Sequence, residues 1–464
     1  MIRVVVIALL FCAWASEVPA VPPPQPQGSS PPARKLIVVT PAKFQASLGE
    51  YLAHKALQLP TECVALEAVL ASQTGADDPE KLKRFLFQRW QGDQLGYALL
   101  VGDVDAMPVR YMVLDRVTPA AFDYAFYPSD LYYADLAKAD GRFDDWNASR
   151  AGFQGQYYGE VRGEKNKDGP INQDQVDYLP EIAVGRWPAS TAEQVAIAAR
   201  KTVRYEQGLI SGDKPGGKRA ALLAVQGWVD SRHLLDGVAA DLSSRWQVTK
   251  LYYAEGYPEP TTPPSETALY ELLAAGAGLV LHTGHGETNR WDQCCTAAGL
   301  TQVKNADRLP VLFSVGCSTA HFAPLAPYDA YTDADGVAHQ GTDHGEQFSA
   351  PPPPPAAYQR QFNRTGLGEA ACVQGDSGAV AYLGCNTGSQ PCAQTLLVGF
   401  AKALAAPQSP RLGDAWVGAL RYYHTHERLA ELRPNADWYP PSVFFQGMKF
   451  MLFGDPALLM PPLE

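Results

Sequence analysis

The sequence carries little positive charge. Its 38 lysine and arginine residues are outnumbered by 49 aspartate and glutamate residues, which gives a formal net charge of −11 at pH 7. Nucleic acids and anionic membranes attract proteins through clustered lysine and arginine. The composition therefore argues against a nucleic-acid partner.

Long hydrophobic runs are also scarce. The N-terminal sequence MIRVVVIALLFCAWAS places Arg3 before an apolar run and small residues around Ala15, which is the layout of a cleavable signal peptide. A membrane-spanning helix needs about 20 apolar residues, and no later stretch has that character. We expect residues 1–20 to be a signal peptide, the mature protein to be secreted or periplasmic, and no membrane span to remain after cleavage.

Cysteine is sparse as well, with eight residues in a chain of 464. Seven follow the predicted cleavage site, and an odd number in an exported protein leaves at least one thiol unpaired. Two interpretations stay open at this point: six cysteines form disulfides around an idle seventh, or one thiol is kept free for chemistry. The seven are Cys63, Cys294, Cys295, Cys317, Cys372, Cys385 and Cys392.

Beyond the signal peptide the sequence changes character twice. Residues 21–34 are rich in Pro, Gln and Ser, so they are predicted to be an extended tether. From Lys35 onward, apolar runs alternate with helical patterns, which predicts an α/β fold built on parallel sheet. We expect an N-terminal α/β subdomain at 35–214 and a catalytic subdomain at 215–464, each a sheet flanked by helices.

Two stretches lack this periodicity. Residues 103–180 are rich in Tyr, Asp and Gly and are predicted to be surface loops, and residues 318–367 are predicted to be an irregular insertion. The insertion contains DAYTDADG, whose oxygen-rich side chains suggest a calcium loop. The terminal Glu of an EF-hand is missing, so a solvated acidic loop is favoured. The residues concerned are Asp329, Asp333, Asp335 and Gly336.

Two predicted strands end in residues that can carry out nucleophilic catalysis. The run GLVLHTGHG presents His285 in a glycine-flanked turn, and PVLFSVGC presents Cys317 at the end of the next strand. On adjacent parallel strands the thiol and the imidazole would emerge side by side. The imidazole would take the thiol proton and pass it to the leaving amine, while the N–H groups of Gly286 and Cys317 are candidates for an oxyanion hole.

Each residue also has a simpler explanation. A histidine in a Gly-His-Gly turn is often a packing residue, and a cysteine at a strand end is often a buried inert thiol. The placement of both at the ends of successive strands favours the catalytic interpretation.

Seven ordered blocks between Lys35 and Pro462 resemble the gingipain family of caspase-fold cysteine peptidases, peptidase family C25. The resemblance implies a caspase-like α/β fold with two subdomains, a hydrolase that cleaves proteins or peptides, and basic residues before the cleaved bond in the best-known members. It places the nucleophile at Cys317 and the general base at His285, with no metal or cofactor required for catalysis and a structural calcium ion possible. We also expect a monomer. The blocks are YALLVGDVDAMP, SDLYYA, EIAVGRWPASTAEQ with TVRYE, LVLHTGHGETNRW, LPVLFSVGC, GEAACVQGDSGAVAYLG and FMLFGDPALL.

Two positions need separate treatment within this resemblance. The family has an acidic residue that orients the catalytic histidine, and the matching position here is Gln226. An amide can hold an imidazole but cannot stabilise its cation by charge, so activity could be weaker. Asp230 is similar to the acidic residue that charges the specificity pocket of Arg-directed members, although an Asp before a helix is also an ordinary N-cap.

Two other functions compete with proteolysis. A zinc site could use His282, His285, Cys317 and His321, although two histidines on a strand that runs into a turn would not obviously converge. The chain could also be an exported peptide-binding protein that keeps the fold with weak or no activity, because Gln226 replaces an acidic residue.

Overall fold

The computed structural model describes eight segments of the chain. They comprise residues 34–113, 126–146, 176–212, 218–349, 352–359, 365–406, 411–433 and 439–461. The predicted signal peptide and all but the last residue of the predicted tether lie outside them. Within these segments, no helix has both the length and the apolar character that crossing a membrane requires.

A ten-stranded sheet forms the centre of the described structure, in the order β2-β1-β3-β6-β17-β16-β13-β9-β7-β8. The smaller strands form three separate hairpins or ribbons. The strands are β1 (Lys35–Thr40), β2 (Thr61–Ala65), β3 (Leu95–Val101), β4 (Tyr111–Val113), β5 (Phe126–Pro128), β6 (Ala183–Trp187), β7 (Arg219–Ala224), β8 (Gln247–Tyr252), β9 (Leu279–Thr283), β10 (Gly286–Glu287), β11 (Arg290–Trp291), β12 (Cys295–Thr296), β13 (Val311–Ser314), β14 (Tyr331–Thr332), β15 (Ala338–His339), β16 (Ala381–Cys385) and β17 (Phe450–Phe453).

Helices connect and cover these strands. Their sequences carry ordinary start signals, since α5 begins after Thr191, whose side chain accepts from the Gln194 N–H in a capping box. The helices are α1 (Gly49–Ala56), α2 (Leu66–Ser72), α3 (Asp78–Asp93), α4 (Leu131–Ala134), α5 (Ala192–Ile210), α6 (Arg232–Leu242), α7 (Glu266–Ala274), α8 (Ala297–Leu300), α9 (Leu367–Val373), α10 (Gln394–Ala405), α11 (Leu412–His426) and α12 (Tyr439–Gln446).

The large sheet consists of two parallel blocks that run in opposite directions. Strands β2, β1, β3, β6 and β17 form one block, and β16, β13, β9, β7 and β8 form the other. They meet at β16 and β17, which are antiparallel. Apolar side chains fill both faces, and all seven residues of β3 are buried, as expected where helices cover a parallel sheet on both sides.

The predicted α/β fold class is confirmed. The final strand, β17, belongs by sequence to the predicted second subdomain, yet it pairs with β6 of the first. The two predicted halves therefore contribute to one sheet. The predicted boundary near residue 215 falls on residues 213–217, which lie outside the described segments.

The prediction of surface loops for residues 103–180 is wrong for the described parts of that stretch. Tyr133 and Trp146 are fully buried, and Asp130 pairs with the buried Arg186 at 2.7 and 2.8 Å. Arg186 also donates to the carbonyls of Gly102 and Pro108. The helix and strands of this stretch are short, and a buried side-chain network that includes Asp130 and Arg186 binds much of its backbone, so the stretch shows no hydrophobic period.

Candidate active site

His285 and Cys317 follow adjacent parallel strands. β9 pairs with β13 up to the register pair His282 and Ser314, and each candidate catalytic residue lies three positions beyond its member of that pair. The carboxyl ends of parallel strands lie at the same sheet edge, so the two turns emerge together. The structure thus brings the predicted pair to one edge.

The two turns touch through their glycines. A Cβ on Gly286 would overlap the Thr319 side chain and lie 2.9 Å from the Cys317 carbonyl oxygen. A Cβ on Gly316 would lie 3.0 Å from the Gly286 nitrogen. Only residues without a side chain allow the backbones to approach this closely.

The two predicted oxyanion donors are the N–H groups of Cys317 and Gly286. The Cys317 N–H donates to no acceptor within the described segments. Gly286 faces Trp291 in the antiparallel pairing of β10 with β11. The next pair along the chain in one direction, His285 and Asp292, is joined by a hydrogen bond from the Asp292 N–H to the His285 carbonyl, so the pair of Gly286 and Trp291 is a non-hydrogen-bonded one. Residues at such a non-hydrogen-bonded position point their N–H groups away from the partner strand. The Gly286 N–H is therefore directed away from β11.

The backbone after Cys317, the predicted nucleophile, is strained. Ser318 has φ of 55°, a left-handed conformation that is uncommon for residues with a side chain. Hydrogen bonds hold it there, since the Ser318 N–H donates to the Thr387 carbonyl at 2.8 Å and the Ala320 N–H donates to the Cys385 carbonyl at 2.9 Å. We call residues 316–320 the nucleophile turn.

The imidazole of His285 is exposed and makes one hydrogen bond within the described part of the chain. Its Nε2 lies 2.8 Å from the Gly227 carbonyl oxygen. A carbonyl only accepts, so Nε2 carries the proton and Nδ1 remains free to act as a base. No hydrogen bond joins the imidazole to the Cys317 sulfur in the described structure, and such contacts often tighten only when substrate binds.

Gln226 lies one residue before the carbonyl that holds His285. Its side-chain amide donates to the Glu255 carboxylate, and among the described residues it makes no hydrogen bond to His285. The contact that orients the imidazole therefore comes from the Gly227 backbone. A role for the Gln226 side chain in orienting His285 stays a prediction.

Asp230 is already paired with a cation. Its carboxylate receives two hydrogen bonds from the Arg232 guanidinium at 2.8 and 2.9 Å, and these bonds hold the pKa of Asp230 well below its usual range. Arg232 is fixed in turn by the Tyr253 ring, 3.7 Å from its guanidinium carbon. The charge proposed for a specificity pocket is thus largely compensated within the protein.

His282 lies in the core instead of in the site. Its ring stacks on Trp291 with centroids 4.4 Å apart, and its Nδ1 lies 2.8 Å from Ser314 Oγ. Burial lowers the pKa of His282 to about 3, so the ring stays neutral. Within the described segments, His282, His285, Cys317 and His321 do not converge as metal ligands. The ligand set suggested for zinc is therefore wrong.

No disulfide joins any of the seven predicted mature cysteines within the described segments. The interpretation with six cysteines in disulfides is therefore wrong for this structure. Burial raises the pKa of Cys295, Cys372 and Cys385 to about 12, which keeps those thiols protonated and unreactive. Cys63 and Cys317 are partly exposed.

A cleft of about 600 Å³ opens beside the nucleophile turn. Gly286 and Ser318 line it next to Cys317, and its other lining residues include three carboxylates: Glu287, Asp329 and Asp343. Arg290 pairs with Glu287 at 2.5 Å, and His321 lies 3.4 Å from Asp329. Asp343 is exposed and has no ion-pair partner among the described residues. The cleft suits a group with positive charge.

Carboxylates that could hold a calcium ion lie elsewhere. Asp135, Asp144 and Asp177 bring one oxygen each within 4.8 Å of one another, and buried oxygens of Asp135 and Asp144 accept no hydrogen bond in the described structure. Hard cations prefer such oxygens, so this group fits calcium. In the acidic loop, Asp333 instead accepts from two backbone N–H groups and lies 2.8 Å from His339 Nε2.

The sequence as a whole matches the model of one protein family. The match is to peptidase family C25, over residues 29–461. The chain belongs to this family. Its likeness to the gingipains is thereby confirmed over almost the whole length, and with it the classification as a cysteine-peptidase relative with a caspase-like fold.

Curated relatives of this C25 chain are distant. It is 23% identical over 306 residues to gingipain R2 of Porphyromonas gingivalis, which covers 63% of this chain and 33% of the relative. It is also 23% identical over 301 residues to gingipain R1 of the same species, with 62% and 24% covered. The chain spans about a third or less of the length of these relatives.

Solved structures agree on the fold. The Arg-specific cysteine proteinase gingipain R superposes with a TM-score of 0.60 at 17% identity, covering 94% of this chain and 80% of that one. The complex of pro- and mature domains of RgpB from Porphyromonas gingivalis gives a TM-score of 0.59 at 17% identity, with 92% and 79% covered. At this identity the likeness shows the C25 fold alone.

Sequence reasoning missed the residue that touches the sulfur. The Ser389 N–H lies 3.2 Å from Cys317 Sγ, and Ser389 follows β16, more than seventy positions beyond the nucleophile. No motif or spacing marks it, because its contact is made by the backbone. Only the adjacency of β16 to β13 brings it to the site.

Proposed function

We propose that this chain is a secreted cysteine endopeptidase in which Cys317 is the nucleophile and His285 the general base. The observation that carries the proposal is the pairing of β9 with β13, which presents both residues at one sheet edge with their glycine turns in contact. Family membership and the free, partly exposed thiol of Cys317 support it.

The reaction follows from the positions of these groups. His285 Nδ1 takes the thiol proton, and the Cys317 sulfur attacks the carbonyl carbon of the scissile peptide. The N–H groups of Gly286 and Cys317 stabilise the oxyanion that forms. The imidazolium returns the proton to the leaving amine as the C–N bond breaks, and water then hydrolyses the thioester to release the acid and regenerate the thiol.

Replacement of the nucleophile tests the proposal. Cys317→Ala should abolish cleavage of fluorogenic peptides, whereas Cys63→Ala, which removes the other partly exposed thiol, should retain the wild-type rate. Equal turnover in wild type and Cys317→Ala would refute the assignment. Loss of activity in Cys63→Ala but not in Cys317→Ala would identify Cys63 as the nucleophile instead.

We further propose a preference for basic side chains, taken up by the cleft beside the nucleophile turn. Asp343 supplies the uncompensated charge, whereas Asp230 is occupied by Arg232. Asp343→Asn should lower kcat/KM for Arg- and Lys-containing peptides by about fivefold, the upper range for an exposed ion pair. Asp230→Asn should change it less than twofold, and the opposite ranking would restore Asp230 as the specificity residue.

A peptide-binding protein with little turnover is the second candidate. It is favoured by Gln226, whose neutral amide faces Glu255 and gives His285 no charged partner. A peptidyl alkylating inhibitor separates the two: an enzyme reacts stoichiometrically at Cys317, whereas a binding protein has no thiol that reacts faster than free cysteine.

A structural calcium ion is proposed at Asp135, Asp144 and Asp177, because one buried oxygen of Asp135 and both of Asp144 accept no hydrogen bond among the described residues, even with the Lys138 ammonium group 3.4 Å from Asp144. Its role would be to neutralise repulsion among the carboxylates, remote from the chemistry of the thiol. Calcium should raise the Tm of the chelator-treated protein, and Asp144→Asn should abolish that rise. An unchanged Tm on chelation and readdition would contradict this site.

A further inference from the structure

The Cys317 sulfur contacts both backbone polar groups of one residue, Ser389. The Ser389 N–H donates to Sγ at 3.2 Å, and the thiol lies 3.6 Å from the Ser389 carbonyl oxygen, to which it donates. Ser389 lies in the loop that follows β16, the strand paired with β13. The sulfur therefore lies next to one backbone donor and one backbone acceptor, both of Ser389.

Ionisation of the thiol changes the strength of these two hydrogen bonds. A thiol can donate to the carbonyl, but a thiolate has no proton to donate and only accepts. Its bond from the Ser389 N–H then becomes charge-assisted, and hydrogen bonds to an ionised group are stronger than neutral ones. A bond that favours the charged form shifts the equilibrium toward the thiolate.

A buried glutamine holds the Ser389 backbone in place. Gln446 is completely buried at the end of α12. Its Oε1 accepts from the Gln390 N–H at 3.1 Å, and its Nε2 donates to Ser389 Oγ at 3.2 Å. Both ends of the amide thus bind the two residues that flank the peptide between Ser389 and Gln390.

The same loop is also joined to the nucleophile turn. The Thr387 carbonyl accepts from the Ser318 N–H at 2.8 Å, and the Asn386 N–H donates to the Lys449 carbonyl at 2.8 Å. These bonds fix the start of the loop. Gln446 fixes its end, where the N–H that faces the sulfur is located.

We propose that the Ser389 N–H stabilises the Cys317 thiolate and that Gln446 is the positioning residue that keeps this N–H on the sulfur. The inference rests on the proposed function, because it assigns a partner to the proposed nucleophile. Ser389 touches the reacting atom through its backbone, whereas Gln446 acts only through Ser389 and Gln390.

The test uses Gln446→Met, which keeps the approximate shape and removes both hydrogen bonds. The rate of Cys317 alkylation by iodoacetamide is measured against pH in the full chain carrying Cys63→Ala. Loss of one bond to a charged group should lower the rate near neutral pH by about tenfold and move the profile to higher pH. In peptide cleavage, kcat should fall while KM stays near the wild-type value.

Gln359→Met is the matched control. Gln359 is also fully buried, and its amide binds Thr332 and Ala356 through the backbone of the insertion. It should destabilise the fold comparably and leave the alkylation profile unchanged. A superimposable profile for Gln446→Met, or an equal shift in both variants, would overturn the proposal.

Two further measurements keep the test decisive if Gln446→Met does not fold. Ser389→Ala retains the N–H but releases one end of Gln446, so about a threefold loss in alkylation rate is expected, given the modest net worth of one neutral hydrogen bond. The native wild-type thiol should also alkylate at lower pH than the same thiol in urea, and the reverse order would refute thiolate stabilisation. Alkylation needs no turnover, so an inactive wild type with the expected profiles would contradict the proposed function alone.

Discussion

At the nucleophile turn the contacts come from backbone groups, whereas around Lys55 they come from ionised side chains. Cys317 is held by Ser389, and His285 by the Gly227 carbonyl. Lys55 is fully buried and binds Glu206 at 2.8 Å and Asp455 at 3.0 Å. We call Lys55, Glu206 and Asp455 the Lys55 cluster.

The difference suggests that the residues that stabilise the fold are not the residues proposed for catalysis. The Lys55 cluster joins α1, α5 and the loop after β17, so its charges link three distant parts of the chain. Removing Lys55 leaves Glu206 and Asp455 buried without their shared cation, while Glu206 keeps its hydrogen bonds to Gln58 and the Leu459 N–H. At the candidate active site the His285 imidazole is exposed and the Cys317 N–H donates to no acceptor among the described residues, so substitutions there should reduce turnover more than stability.

The largest expected effect is on the Lys55 cluster. Lys55→Met should lower the free energy of unfolding by about 3–5 kcal/mol, because two buried carboxylates lose their cation. Urea unfolding measures this, with Lys81→Met as the control, since Lys81 pairs with Asp78 at the surface and should cost under about 1 kcal/mol. An equal loss of unfolding free energy in both variants would show that the Lys55 cluster stabilises the fold no more than a surface ion pair does.

The corresponding substitution at the site is Gly286→Ala. The added methyl group would press on Thr319 and on the Cys317 carbonyl, and so displace the Gly286 N–H from the oxyanion position. Loss of one such donor typically lowers kcat by about a hundredfold to a thousandfold. Steady-state kinetics measure it, and a variant with wild-type kcat would remove Gly286 from the oxyanion hole.

Acid should weaken the Lys55 cluster. Hydrogen bonds from His54 and Lys55 outweigh the effect of burial and lower the pKa of Glu206 to about 2 from an ordinary value near 4.5. A carboxylate with a lowered folded-state pKa contributes stability above its unfolded pKa and loses it as pH falls toward the folded value.

Stability should therefore decline between about pH 4.5 and pH 2, by up to about 3 kcal/mol from this group. Urea midpoints measured across that range test it. The decline should be smaller in Lys55→Met, where the salt bridge is already lost. Parallel acid profiles for both proteins would rule out Glu206 as the source.

The smallest expected loss of stability concerns His282 in β9 and His285 in the turn that follows it. His282→Phe keeps a ring against Trp291 but removes the partner of Ser314 Oγ, so it should cost about 1–3 kcal/mol in stability. Its kcat should fall less than tenfold. His285→Phe should instead abolish turnover with little loss of Tm, and the reverse assignment would require a different base.

The sequence allowed the pairing of His285 with Cys317 to be predicted, because strand-end residues of a parallel sheet meet at one edge. It could not reveal Ser389, which meets the sulfur through its backbone, or Gln446, whose side-chain amide reaches the loop after β16 only in the folded chain. Nor could it show that Arg232 neutralises Asp230, since a bidentate pair two residues apart has no characteristic pattern. The buried Arg186–Asp130 pair was hidden for the same reason, in a stretch without hydrophobic period.

The most direct test of the central claim is stoichiometric labelling with an arginine-containing peptidyl chloromethyl ketone, followed by peptide mass mapping. The account predicts one label per molecule at Cys317, formed much faster than with free cysteine, and lost in His285→Phe. Labelling of Cys63, or no preferential labelling of any thiol, would contradict the assignment of Cys317 and His285 as a catalytic pair.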